Sequence, residues 1–370
     1  MKIGVPKEIK KFENRVSLTP DGAKAFKEAG HEVYVESGAG LGADISDDEY
    51  SAQGAIILDS HEEVFIKADM VYKVKEPLPE EYDLFREKQI LFTYLHLAAD
   101  EPQARALLDN GVSGIAFETI QLDDGHLPLL EPMSEVAGRL SVQEGAKYLE
   151  KTYGGRGLLL GGIPGVTKGS VVIVGGGTVG LNAAKIAIGM GANVRILDID
   201  KRKLQFFDNI YGERIETLYS TPGNIARSLL GADLVIGAVL IPGASAPRLI
   251  TAEYVRSMKK GAVIVDVAVD QGGCCENTRP TYHDDPVFIA DGVVHYCVAN
   301  MPGAVPITST WGLAEATLPY ALRIANKGFK EALKDPVLLK GLNTYNGYIT
   351  HPGVASSLDL PSKEISTLDF

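Results

Sequence analysis

The chain alternates short apolar runs with longer stretches of helical periodicity. Lys2–Val5 is a compact apolar run, and residues 31–36 alternate polar and apolar positions at Val33 and Val35, the period of a strand. Between them, Thr19-Pro20 reads as a helix N-cap followed by proline at the first helical position, and predicts a helix running to Gly30. Residues 70–74 and 90–95 predict two further strands, and residues 47–53, 62–68 and 101–110 predict helices around them. Strands and helices alternating at this spacing predict a parallel α/β sheet.

A long helix is predicted from Ser134, as cap, through Val136, Leu140, Val142 and Ala146 to Leu149. A glycine-rich link over residues 153–169 follows, and then the abrupt run Val171-Val172-Ile173-Val174. From there residues 193–198, 234–239, 262–267 and 293–298 read as buried strands in a βα rhythm. After Pro302 the pattern turns helical again over residues 313–327 and 329–339, expected to pack back on the first domain. The fold class expected is α/β with two domains. One is a Rossmann-type dinucleotide-binding domain with a parallel sheet, over residues 129–306. The other is a discontinuous α/β substrate domain, built from residues 1–128 and completed by 307–370.

Composition narrows the function classes. The 370 residues carry 36 Lys+Arg against 48 Asp+Glu, a net charge of −12. That balance argues against nucleic acid or an anionic membrane as partner. No apolar stretch reaches the ~20 residues that span a bilayer, and the start Met-Lys-Ile-Gly-Val-Pro-Lys-Glu lacks the apolar core of a signal peptide. The three cysteines, Cys274, Cys275 and Cys297, form no disulfide framework, and no spacing suggests zinc. A reduced, cytoplasmic protein without a metal is expected.

The strongest local signal is the glycine loop. Gly175, Gly177 and Gly180 stand at Gly-x-Gly-x-x-Gly spacing after four β-branched residues and before a helical run from Leu181 to Met190. One glycine makes the tight turn, the next lets backbone approach a pyrophosphate, and the third lets helix pack on strand. The helix N-terminus then offers N–H donors and a positive dipole end to the phosphates. Asp198 ends the next strand, 18 residues after Gly180. An acid there accepts from ribose hydroxyls and repels a 2′-phosphate, which favours NAD over NADP. Lys201, Arg202 and Lys203 follow, and a cation at the adenosine end weakens that preference.

Longer motifs carry a family resemblance over essentially the whole chain. Gly4-Val5-Pro6-Lys7-Glu8, Glu13-Asn14-Arg15-Val16 and Thr19-Pro20 resemble the N-terminal signature of alanine dehydrogenases and the related pyridine nucleotide transhydrogenase α subunits. Lys73-Val74-Lys75-Glu76-Pro77, Tyr94-Leu95-His96, Asp270-Gln271-Gly272-Gly273-Cys274 and the run from His295 to Pro306 are similar to the same group. The segment 173–198 resembles its second signature. Phe12, Ser17, Cys275, Asn277 and Ile307 depart from the pattern, and none of them replaces a group with a catalytic role in it.

The resemblance implies a reaction and a residue set. The reaction is reversible oxidative deamination of L-alanine to pyruvate and ammonium, with NAD taking the hydride. Arg15, a planar and permanently charged fork, is implied to hold the substrate carboxylate, and Lys75 to hold the carboxylate or the carbonyl oxygen. His96 is implied as general acid/base, its ordinary pKa suited to proton transfer near neutrality. Asp270 is implied as the second catalytic residue; Asp266, inside the same apolar run, reads as structural. Cofactor contacts are implied at Ser134, Thr178, Val179, Lys203, Ser220, Val239, Leu240, Val267, Ala268, Val269, Asp270, Arg279, Val298, Ala299, Asn300 and Met301. A homo-oligomer, a hexamer in this family, is implied as well. The competing readings are a transhydrogenase α-type subunit working with a partner protein, and a non-catalytic NAD-binding protein. The joint presence of Arg15, Lys75, His96 and Asp270 favours the dehydrogenase.

Overall fold

The computed structural model describes residues 1–239, 246–364 and 367. Its strands are, in chain order, β1 (Lys2–Val5), β2 (Glu32–Glu36), β3 (Ile56–Leu58), β4 (Met70–Tyr72), β5 (Ile90–Thr93), β6 (Ser113–Ala116), β7 (Ser170–Val174), β8 (Asn193–Asp198), β9 (Ile215–Tyr219), β10 (Leu234–Gly237), β11 (Val263–Asp266), β12 (Val287–Ala290), β13 (Val293–Tyr296), β14 (Leu342–Tyr345) and β15 (Tyr348–Ile349). The chain divides into two compact units, residues 1–133 with 305–370, and residues 134–304. Each unit is built on its own sheet.

The first unit holds an eight-stranded sheet in the order β15-β14-β6-β5-β4-β1-β2-β3. From β3 to β6 every pairing is parallel, whereas β14 joins β6 and β15 antiparallel. All four residues of β5 are buried, the mark of a strand covered on both faces. Phe92 and Phe117 meet edge to face at 4.5 Å, and Tyr72 lies against both rings. The helix Pro20–Glu28 starts where the sequence places it, with the Thr19 hydroxyl accepting from Gly22 N–H. The helix Pro306–Lys327 is pinned to this unit by polar bonds: Val16 N–H donates to Thr310 Oγ1 at 3.2 Å, and the Tyr72 hydroxyl bonds Thr317.

The second unit holds a seven-stranded sheet in the order β12-β13-β11-β10-β7-β8-β9. The parallel order β9-β8-β7-β10-β11-β13 is that of a dinucleotide-binding fold, with β7 at the point where the order reverses. Val171 to Val174 have no solvent exposure, which explains why that run carries no polar alternation.

Four expectations change. The sheets are parallel only in their main part, because β12 and β14–β15 run antiparallel. The long helix is Glu131–Tyr148, so Ser134 lies inside its first turns instead of capping it. Pro132 tolerates that early start, since an N–H in the first turn needs no helical partner. The C-terminal helix begins at Pro306 rather than 313 for the same reason. The run 329–339 is two short helices, Phe329–Ala332 and Pro336–Lys340, because Pro336 has no N–H to continue the first and instead opens the second behind the Asp335 cap.

One buried polar group in the second unit is unusual. His295 lies at the middle of β13 with no exposure, its ring stacked on Phe288 at 4.9 Å, and neither ring nitrogen has a hydrogen-bond partner. Burial pushes its pKa down to about 4, with Asp291 opposing weakly. The folded state therefore holds His295 neutral at pH values where the unfolded chain protonates it. Its contribution is complete above the ordinary value of 6.5 and is lost as pH falls from there toward 4. The variant His295→Leu should flatten the fall in stability between pH 7 and pH 4.5 by on the order of 2–3 kcal/mol relative to the parent. Guanidinium unfolding followed by circular dichroism at both pH values checks this; parallel profiles for the two proteins would refute it.

Candidate active site

The glycine loop of the second unit follows β7 directly. Gly175 has a φ of +108°, and a Cβ there would lie 2.5 Å from the Ala238 carbonyl oxygen. Only glycine allows this turn to close against the residue that follows β10. A Cβ on Gly180 would fall 1.9 Å from the Gly175 carbonyl oxygen, so the helix Thr178–Gly189 touches the loop backbone there. Gly177 is different: nothing lies within 4 Å of the place a Cβ would take. It is the N-cap of that 12-residue helix and supplies no side-chain cap. The loop thus leaves open space in front of uncapped helix N–H groups, which fits a pyrophosphate.

Asp198 closes the loop from below. Its carboxylate accepts from Gly176 N–H at 2.6 Å and from Asp200 N–H at 2.7 Å, and Lys203 Nζ stands 3.6 Å away. The side chain is mostly buried, so it fixes the loop backbone as well as presenting charge. An open groove of about 520 Å³ runs here, lined by Gly177, Thr178, Leu181, Arg202, Lys203 and Phe206 among others. Leu181 and Phe206 were not singled out from sequence, although the helix Lys201–Tyr211 that follows an Asp200 cap is the kind of element that flanks a dinucleotide.

The remaining sequence-predicted contacts sit at several places in this unit. Val239 and Val267 are half-buried just beyond β10 and β11, and Ala268 and Val269 are buried. Ser220 N–H donates to the Asp198 carbonyl at 3.1 Å, which places it at the end of β9. Val298 and Met301 are buried, Ala299 and Asn300 half-buried, and Ser134 half-buried in its helix. Thr178 and Val179 open the helix after the loop. Arg279 is exposed, with its guanidinium 4.4 Å over the Phe288 ring. Leu240 lies outside the described residues.

Asp270 and Asp266 differ sharply. Asp270 is exposed in the turn Val269–Gln271, beyond the end of β11. Asp266 is fully buried and accepts from Ala268 N–H, Cys275 N–H, the Thr278 hydroxyl and the Cys274 thiol. It is an anchor for the loop that carries Asp270. Burial raises the pKa of all three cysteines, that of Cys275 to about 11 and that of Cys297 to about 12, so none is a thiolate near neutrality.

In the first unit, Lys75 and His96 follow the carboxyl ends of adjacent strands, β4 and β5. His96 adopts a left-handed backbone (φ +50°), its N–H donates to Glu118 at 2.7 Å, and its exposed ring stacks at 5.8 Å on Tyr94. This conformation lifts the ring out of the buried strand end. Tyr94 is buried and donates to the Leu129 carbonyl at 2.6 Å. Glu76 reaches Lys10 with one oxygen, while its other oxygen is buried without a partner. Burial works to raise the Glu76 pKa, but Lys75, His96 and Lys10 together hold it below the ordinary value.

Arg15 is 2 % exposed, and its fork is already engaged. Its Nε donates to Glu13 Oε1 at 2.7 Å and its Nη2 to Glu13 Oε2 at 2.5 Å, while Nη1 faces the Met133 sulfur at 3.0 Å. Burial opposes the charge and Glu13 overrides it, so the guanidinium is held above its ordinary range. Sequence reasoning quoted Glu13 beside Arg15 without giving it a role; the two-residue spacing was the available signal. Ile307 and Trp311 are exposed and line a separate groove of about 350 Å³ with Pro20, Asp44 and Glu49. Among the described residues, no group of three or more His, Cys, Asp or Glu side chains is arranged to hold a metal ion, and no helix is long and apolar enough to cross a membrane.

This arrangement has counterparts among known proteins. Residues 4–137 match the family described as "Alanine dehydrogenase/PNT, N-terminal domain", and residues 141–352 match "Alanine dehydrogenase/PNT, C-terminal domain". The chain is 60% identical over 363 residues to an alanine dehydrogenase of Methanococcus maripaludis, covering 98% of this chain and 97% of that one. It is 55% identical over 367 residues to alanine dehydrogenase 2 of Staphylococcus aureus, covering 99% and 98%. A solved structure named L-alanine dehydrogenase superposes with a TM-score of 0.94 at 51% identity, covering 97% of this chain and 99% of that one. Matched along both halves and over nearly the whole length of these relatives, the chain belongs to the alanine dehydrogenase/PNT family.

Proposed function

We propose that this protein is an NAD-dependent alanine dehydrogenase, interconverting L-alanine with pyruvate and ammonium. The observation that carries the reading is the joint presence of two built features. One unit supplies a glycine loop open in front of uncapped helix N–H groups. The other presents Lys75 and His96 at neighbouring carboxyl strand ends around the Glu76 carboxylate. Identity of 55–60% to alanine dehydrogenases over the whole chain supports the same substrate.

In this reading the substrate domain comprises residues 1–128 with 307–370, and the dinucleotide domain residues 129–306. Gly175, Gly177 and Gly180 cradle the pyrophosphate, and Asp198 takes the ribose hydroxyls with Lys203 beside it. The other predicted contacts, from Ser134 through Met301, line the cofactor. Bound NAD supplies one chemical step, acceptance of hydride from the alanine α-carbon. Arg15 and Lys75 hold the substrate carboxylate. His96, exposed at its strand end, deprotonates the water that adds to the imine carbon and returns the proton as ammonium leaves. Asp270 orients the incoming water or ammonia and stabilises the cationic intermediate. The protein works as a cytoplasmic homo-hexamer.

Absorbance of NADH, read with L-alanine and NAD and then with pyruvate, ammonium and NADH, tests the whole reading. Turnover in both directions is expected; binding of NAD without turnover on alanine or pyruvate would overturn it. The variant His96→Ala should lose kcat by about 10²-fold or more while its KM for NADH stays within about twofold. Near-parental turnover would remove His96 from the chemistry.

Asp198 generates a separate expectation. Asn at this position keeps one oxygen for the Gly176 N–H and removes the charge that repels a 2′-phosphate. Asp198→Asn should raise the NADP:NAD ratio of kcat/KM by about tenfold or more, with Lys203 now facing the phosphate. An unchanged ratio in steady-state kinetics would show that Asp198 does not set coenzyme choice.

A further inference from the structure

Two stretches of the first unit, Pro6-Lys7-Glu8 and Lys73-Val74-Lys75, contain charged residues that the proposed chemistry does not use. The structure joins them. Glu8, buried beyond the end of β1, points one carboxylate oxygen at two consecutive backbone amides. Oε1 accepts from Val74 N–H at 2.6 Å and from Lys75 N–H at 3.2 Å. The Lys75 carbonyl in turn accepts from the Thr93 hydroxyl, at the end of β5, at 2.9 Å. The peptide on either side of Lys75 is therefore clamped, its N–H by Glu8 and its C=O by Thr93, three residues past the last residue of β4.

Glu8 is itself held by a chain of buried charges. Its Oε2 lies 3.4 Å from Lys73 Nζ, a side chain with no exposure, and Lys73 also bonds Glu81. Glu81 accepts from Leu78 N–H at 2.8 Å and lies 3.2 Å from His61 Nε2, while His61 Nδ1 lies 2.6 Å from Glu36. Three carboxylates thus share two cations, Lys73 and His61. Burial acts against the charge on both cations, yet their carboxylate partners hold the Lys73 pKa above its ordinary range and raise that of His61 to about 9. The surplus negative charge falls on Glu8, which burial raises to about 6 against the pull of Lys73. A buried ion-pair chain is poor evidence of stabilisation, since apolar packing of equal volume does as well. What apolar packing cannot supply is an acceptor for two backbone N–H groups at the root of a substrate-binding lysine.

We propose that Glu8 is a positioning residue for Lys75: the Glu8 carboxylate, anchored by Lys73, which Glu81 holds in turn, sets the direction in which the Lys75 side chain leaves the backbone. This rests on the reading that Lys75 holds the substrate carboxylate. Positional freedom at such a group weakens substrate binding, because the orientation is no longer fixed before the substrate arrives.

The test is steady-state kinetics in the pyruvate, ammonium and NADH direction for Glu8→Ala, Glu8→Gln, Lys75→Met and the Glu8→Gln/Lys75→Met double variant. Glu8→Ala should raise KM for pyruvate about tenfold or more, with KM for NADH within about twofold of the parent. Glu8→Gln keeps an oxygen for the two amides and should recover part of that loss. The double variant should be no worse than Lys75→Met alone, because coupled residues fail to add. If Lys75→Met raises KM for pyruvate and neither Glu8 variant does, the positioning role is wrong while the Lys75 reading stands. If Lys75→Met changes nothing, the Lys75 reading fails and positioning through it fails as well. Should Glu8→Ala not fold, Glu8→Gln and the double variant decide: additive losses, or an equal rise in KM for NADH, would overturn the proposal.

Discussion

Parallel strands cannot reverse directly into one another, and that constraint arranges everything else in this protein. Each parallel strand must hand the chain to a loop at its carboxyl edge, and the loop must leave the sheet before a helix carries it back. The carboxyl edges of both sheets thereby collect backbone that is not spent on the ladder. In the second unit the loop after β7 becomes the glycine turn, and the segment after β11 becomes the turn bearing Asp270. In the first unit the segments after β4 and β5 carry Lys75 and His96. The candidate site residues sit where the sheets end because that is where side chains and N–H groups remain available.

Backbone outside the ladder needs other partners, and buried carboxylates supply them. Asp198 takes the amide of Gly176, Asp266 takes those of Ala268 and Cys275, and Glu8 takes those of Val74 and Lys75. Glu118, half-buried, does the same for Leu95 and His96. Four separate acids thus hold four strand-end loops by the same device. Charge-assisted bonds to N–H groups are among the stronger hydrogen bonds. The acidic balance of the chain is partly structural for this reason, and not only a property of its surface.

Much of the fold was legible because its buried strands are short and almost wholly apolar. Val171 to Val174 and residues 90–93 announce themselves, and so does the cap at Thr19. Of the strands that escaped reading, β6 (Ser-Gly-Ile-Ala), β9 and β14 have mixed composition, β15 is only two residues long, and β3 (Ile-Ile-Leu) and β12 (Val-Phe-Ile-Ala) are short, partly exposed edge strands. Two of the missed pairings did carry a signal. Asp291-Gly292 joins β12 to β13, and Asn346-Gly347 joins β14 to β15, all four residues with positive φ. Those are the dipeptides of two-residue hairpin turns, and they mark where the parallel order must break. The long helix was misplaced by three residues because a serine was preferred as cap over a proline within the first turn.

The site was legible in a different way. The glycine spacing and Asp198 follow from the physics of phosphate and ribose recognition, whereas Arg15, Lys75 and His96 stood out only through resemblance to longer motifs. The structure explains why. A lone lysine or arginine in sequence is indistinguishable from a solvated one, and its significance lies in what surrounds it. Arg15 is 2 % exposed with Glu13 across both prongs of its fork, and a permanent charge there is retained only by such a partner. Glu13 holds the Arg15 fork in place, and Glu76 is likewise kept charged beside Lys75 and Lys10, so each of these cations is legible only as half of a pair.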